Sequence, residues 1–377
     1  MPPPPLADFS FGNHAGVRTS AVKISTLSGA ARQDGSWGNI VISGTHDEPI
    51  NKIRVWNAGL LGETRHANLL MKQEDYSLNA SVSCIESIPH VSYETGVPLW
   101  VGTRKGSVYS LHAQLSEARM DSGEDESLEL WGVSHGEEAY AKEGAGAPLH
   151  SCSCSAISLD PKSRGMRVLS AGEDGNIFEV QRNSSGGLEE ATMRVENADW
   201  VSINDLKFDS QGDFFFTAGS AGGLKMWSSN SKDLKPKTFD NAQRHNLVAI
   251  QPFGSYVIAG CEEGPILVYD IRNEKSFVSA HASEDFKDGF HKGCVSAISE
   301  VMGDDARTFV SSSIDGTVLS FSLSSSSIIV PLAFHRYSQA VNDVGAVICD
   351  KSQRDKSVLC VAAADTGILI GQRPSFV

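Results

Sequence analysis

The stretch Gly102-Thr103-Arg104-Lys105-Gly106-Ser107-Val108-Tyr109-Ser110-Leu111 decides how this chain is read, because its frame keeps returning. The frame is two small residues, two variable ones, a Gly, one more residue, an apolar residue, and three places later a mostly bulky apolar one. It starts again at Ala171, Ala218, Gly260, Ser312 and Ala363. Self-similarity at a spacing of roughly 40 to 50 residues, with one longer first interval, is the mark of a repeat architecture rather than of a single irregular domain. Each copy describes a β-hairpin, as where Tyr256-Val257-Ile258-Ala259 enters the turn and Ile266-Leu267-Val268-Tyr269 leaves it. Gly106, Gly175, Gly222, Gly264, Gly316 and Gly367 are expected to supply the positive φ of the turn. The small residues before the turn are expected to let neighbouring units pack closely.

Working outward, a degenerate copy sits at the front, with Ile40–Gly44 entering and Lys52–Trp56 leaving through a longer turn at Asp47, Glu48 and Pro49. Strand-like segments precede most hairpins (Val82–Ile85, Ser155–Leu159, Ile203–Phe208, Val295–Ile298), and others follow, such as Thr192–Val195 and Ile328–Leu332. Four strands per unit and seven units predict an all-β, seven-bladed WD40-type β-propeller. The last unit has three strands, around Val344–Ile348, Val358–Ala363 and Ile368–Gln372, and the chain ends before a fourth. The segment Leu6–Phe11 is therefore expected to complete it, so that the N-terminal strand closes the ring and removes an exposed sheet edge. The 377 residues are read as one such domain.

The longest interruption, at about 112–150, is acidic. From Asp121 to Glu143 it carries eight acids against one base, Lys142, and Leu128-Glu129-Leu130-Trp131 within it reads as a short fourth strand between mobile acidic loops. A solvated insertion is the plain account, and a dock for a basic partner segment the sharper one. The net charge of −14 disfavours direct contact with nucleic-acid phosphates. No apolar run is long enough to span a membrane, and Met-Pro-Pro-Pro-Pro does not resemble a secretory signal, so a cytosolic or nuclear location is expected. Seven Cys, mostly inside apolar strands, fit small buried residues in a reducing compartment.

Chemistry is sparse. There is no Gly-x-Ser-x-Gly, no His-Glu-x-x-His and no P-loop. His150-x-Cys152-x-Cys154 is the one metal-like grouping, and it lacks a fourth ligand and a second knuckle. His46-Asp47 has the residue types of an acid/base pair, and Asp174, Asp315 and Asp365 recur beside turn glycines; carboxylates capping turn N–H groups account for all of them. No catalytic residue, cofactor or metal is expected, and the protein is read as a non-enzyme. Loop aromatics are the candidates for anchoring a protein partner: Trp200, and Phe286 and Phe290 in the segment Ala280–Gly293.

The order Gly172-Glu173-Asp174-Gly175-Asn176-Ile177, then Glu196-Asn197-Ala198-Asp199, then Gly223-Leu224-Lys225-Met226-Trp227, together with the tail Ala363–Arg373, resembles the family of the WD-repeat nucleoporin forty-three. The likeness is close in the central third and the tail. Only Tyr269-Asp270 keeps an aromatic-Asp strand ending, so a divergent member is implied. The resemblance implies a scaffold subunit of the Y-shaped outer-ring complex of the nuclear pore, bound to the α-solenoid nucleoporin eighty-five and located at the nuclear envelope. Asp270-Ile271-Arg272 supports a rival, since an Asp-x-Arg element on the rim docks substrate receptors of cullin-type ubiquitin ligases. A propeller hydrolase or metal enzyme is the other alternative.

Overall fold

The computed structural model describes residues 10–14, 17–28, 39–61, 66–71, 76–92, 96–118, 128–141, 146–183, 186–221, 223–231, 235–239, 245–273, 277–279, 291–302, 307–323, 329–348 and 357–374. The architecture is all-β, many antiparallel sheets in the form of a β-propeller, and among the described residues the one helical element is a 3-10 turn at Pro161–Ser163.

An inner strand opens each antiparallel run: Thr19–Ser28, Val82–Ser87, Cys154–Leu159, Ile203–Phe208, Leu247–Phe253, Val295–Met302 and Val341–Ile348. The next strands pair outward in chain order, as in Ile203–Phe208, Phe214–Gly219, Leu224–Ser228 and Lys237–Phe239. The last two runs join through a short parallel contact, Val301 with Ala346 and Met302 with Val347. Alternation places aromatic pairs between the runs. Phe215 stacks on its register partner Trp227 with ring centroids 5.9 Å apart, and Phe309 on Phe321 at 5.7 Å.

Every inner strand carries the same irregularity near its start. One residue is skipped in the ladder: Ser20, Ser83, Ser155, Asn204, Val248, Ser296 and Asn342. A bulge leaves one residue unpaired and re-aims its side chain. Here the freed side chain turns to the next inner strand and donates to the carbonyl of its first residue: Ser20 to Val82 (2.7 Å), Ser83 to Cys154 (2.5 Å), Ser155 to Ile203 (2.5 Å), Asn204 to Leu247 (2.7 Å) and Ser296 to Val341 (2.6 Å). Asn342 Nδ2 returns to Thr19 O at 3.0 Å, so the chain of bonds closes from the last run to the first.

Val248 has no donor and interrupts that circuit. Val248→Ser is expected to add one hydrogen bond to Val295, worth about 1 kcal/mol, at little apolar cost because the side chain is half-exposed to the channel. A rise in melting temperature of roughly 1–2 °C is the expected result, and a fall would show that these bonds do not hold neighbouring runs together.

The small residues of the frame lie against the next run as expected. A Cβ on Gly260 would collide with Val295, and one on Gly44 with Val82. Gly175 adopts φ +76°, and a side chain there would strike the carbonyl oxygen of Asp199. Positive φ holds equally at the other turn glycines expected to have it, except that Gly222 lies outside the described residues.

The N-terminal segment pairs with the last strand, Gly367–Pro374, as expected; the pairing runs through Ser10–His14, beyond the expected end at Phe11, and residues 6–9 lie outside the described residues. One expectation is corrected. The acidic insertion is less loop than expected: Val108–Ala118 and Leu128–Glu138 form a long hairpin with one bulge at His112/Ala113. Alternating residues on both arms sustain the ladder, which the charge count concealed.

Candidate protein-docking face

Antiparallel pairing aligns the start of each inner strand with the end of the second strand of its run: Thr19 with Thr45, Val82 with Thr103, Cys154 with Gly172, Val295 with Ser313. The turns of the repeated frame therefore gather at one end of the molecule. Their variable residues are mostly acidic, namely Asp47, Glu48, Glu173, Asp174, Glu262, Glu263, Asp315 and Asp365, against Arg104 and Lys105. The same end presents the exposed apolar side chains Ile50, Trp200, Val201 and Ile314.

Beneath the turns lie buried polar networks. His150, fully buried, faces Asp174 Oδ1 through Nδ1 (3.1 Å) and Ser170 Oγ through Nε2 (3.0 Å). Asp174 also accepts from the N–H groups of Ser151 and Asn176. Burial would raise its pKa, but the His150 contact and these donors hold it below the ordinary value. The same arrangement recurs around His291, whose ring nitrogens face Thr317 (2.5 Å) and Ser311 (2.8 Å), while Asp315 accepts from Thr317 and Lys292. In both sets a histidine just ahead of an inner strand is fastened to the second strand of the same run, and the turn carboxylate accepts from the residue after it.

This settles how the metal-like grouping is arranged. His150 spends both nitrogens on Asp174 and Ser170, Cys154 is buried against Cys84, and Cys152 is exposed. Among the described residues no group of three His, Cys, Asp or Glu side chains converges on a metal position. His46, 7% exposed, faces Asp47 Oδ2 through Nδ1 (3.2 Å), and its Nε2 lies 3.3 Å from Asp365 Oδ1 without hydrogen-bond geometry, while Asn342 Nδ2 donates to Asp365. The contact with His46 is the main cause that keeps the Asp47 carboxyl below its usual range. The first hairpin and the last thus lie side by side at this end.

Trp200 stands at the acidic end, 89% exposed. Its loop is held from below by Asp199, which accepts from Val201 N (3.0 Å) and Lys225 Nζ (3.1 Å), while Lys225 also donates to Ala198 O (2.6 Å). Asp270 ends the strand Ile266–Asp270 and Arg272 lies two residues beyond it, at the opposite end. Arg272 forks onto Asp270 through Nε (2.8 Å) and Nη2 (2.6 Å), and also donates to Tyr256 OH. The structure therefore separates the two sets of candidates. Phe286 and Phe290 lie outside the described residues.

A central channel of about 310 Å³, lined by the inner strands, was not read from the sequence. Glu86 receives Lys23 (2.7 Å) from the preceding run and Lys207 (3.4 Å) from across the channel. Burial would raise the Glu86 pKa, but the two ammonium groups bring it below the ordinary value. Asp343 accepts from Val22 and Val344 N–H groups, yet burial pushes it up to about 6. The signal available was a charged residue between apolar ones, as in Leu206-Lys207-Phe208, but alternation alone does not say that the polar side faces an enclosed space.

No protein-family model and no curated protein matches this chain.

Proposed function

We propose that this chain is a non-enzymatic scaffold: a seven-bladed WD40-type β-propeller of the nucleoporin forty-three kind, serving as a subunit of the Y-shaped outer-ring complex of the nuclear pore. The observation that carries a scaffold role is the series of bulge side chains that join neighbouring inner strands from Ser20 round to Asn342 and back to Thr19, interrupted at Val248. Such a ring is a rigid support for surface loops, which suits a platform that need not move. The three sequence elements of the resemblance lie together on it, since the turn at Glu173–Gly175 touches the loop at Asn197–Asp199, which in turn holds Lys225. The partner of this reading is an α-solenoid nucleoporin, nucleoporin eighty-five, at the nuclear envelope.

Affinity capture of the tagged full chain from its own cells, with mass spectrometry, tests it. Stoichiometric α-solenoid nucleoporins and other Y-complex subunits are expected. A second reading, substrate receptor of a cullin-type ubiquitin ligase, is favoured by the exposed Arg272 held on the half-buried Asp270. Recovery of cullin-ligase components without nucleoporins, abolished by Arg272→Ala, would replace the first reading by the second.

A further inference from the structure

We infer that Trp200 is a preformed knob that inserts into an apolar groove rimmed by Lys and Arg on a protein partner, a deepening that rests on the scaffold reading above. An indole 89% exposed leaves most of its apolar surface in water, where a buried Trp would gain some kilocalories. Val201 beside it is 60% exposed, so the two make one apolar projection.

The projection is rigidly presented. Asn197 sits at φ +50° with its N–H on Asn176 Oδ1 (3.0 Å), Asp199 N–H reaches Gly175 O (3.3 Å), and Ala198 and Asp199 are buried. Asp199 and Lys225 then fasten the loop to the following hairpin. A side chain already ordered by its support loses little entropy on docking, which is the property of an interface anchor.

Charge selects the partner. Glu173, on the turn that touches the loop, and Glu196, within it, are exposed, and the nearby cation Lys225 is committed to Asp199 and Ala198. An acidic collar round an apolar knob is complementary to an apolar groove with a basic rim, and it repels phosphate backbones and anionic lipid surfaces.

The test uses the full chain in its own cells. Photo-reactive benzoylphenylalanine placed at position 200 instead of Trp200 is expected to attach to a protein segment containing apolar residues flanked by Lys or Arg, and the same probe at position 162, at the opposite end, is not. Trp200→Ala should lower recovery of that protein at least tenfold with no change in melting temperature, and Glu173→Lys with Glu196→Lys should lower it as well. Attachment from position 200 to an acidic segment, to a lipid, to a second copy of this chain or to nothing would overturn the inference. If nucleoporins are recovered undiminished with Trp200→Ala, this site falls and the nuclear-pore reading stands. If position 200 attaches to a basic-rimmed groove on another kind of protein, the site stands and the nuclear-pore reading falls.

Discussion

Glu86→Leu is expected to destabilise the protein by about 2–3 kcal/mol, more than a surface carboxylate would. Removing one partner of a buried ion pair costs about 3–5 kcal/mol because the remaining charge is left uncompensated. Here two ammonium groups lose their shared anion, Lys23 and Lys207, and they come from different inner strands. The cost falls toward the lower figure because these side chains keep 28% and 25% of their surface open to the channel, where water can reach them. Lys207→Met is expected to cost less in the Glu86→Leu background than alone, because its contact with Glu86 is already gone there, while Asp205 and Asp343 lose Lys207 in both backgrounds. Urea unfolding of the wild type, both single variants and the double variant gives the coupling energy. Additive effects would show that the cross-channel contact contributes nothing to holding the ring.

Acidification from pH 6.5 to pH 4 should remove about 3 kcal/mol of stability through His291 alone. Burial depresses its pKa from 6.5 to about 4, against the upward pull of Asp315. In that window the unfolded chain takes up a proton that the folded chain refuses, so the unfolded state gains as pH falls. Asp343, raised to about 6 by burial, acts in the opposite direction, because its folded state takes up the proton first. The informative quantity is therefore the difference between the wild type and His291→Gln at pH 7 and pH 4.5, which should shrink as pH falls. An unchanged difference would mean that His291 is not held neutral by its place between Thr317 and Ser311.

The frame that begins at Gly102 made the hairpins, the turn glycines and the repeat legible, since these depend on φ preferences and alternation within a few residues. Trp200 was legible as a candidate from its residue type and its place between strands. Its exposure and its firm support were not, because Lys225, which holds the neighbouring Asp199, lies 26 residues further along, in the next hairpin. His46-Asp47 carries the residue types of an acid/base pair and was read as part of a capped turn. The third member, Asp365, lies at the far end of the chain, and only closure of the ring brings it to His46.

The bulge residues show the same division. Ser20, Ser83, Ser155, Asn204, Ser296 and Asn342 are unremarkable small polar residues along the sequence, yet in the structure each reaches the next inner strand. By itself the sequence determined the local geometry: strand alternation, turn positions and the spacing of units. The tertiary structure alone decided what crosses from one unit to the next, including the circuit of bulge bonds, the Lys23–Glu86–Lys207 contact and the acidic end with its Trp. The reason is that torsional preference and periodicity act over neighbouring residues, whereas these contacts exist only once the ring has brought distant strands within hydrogen-bonding distance.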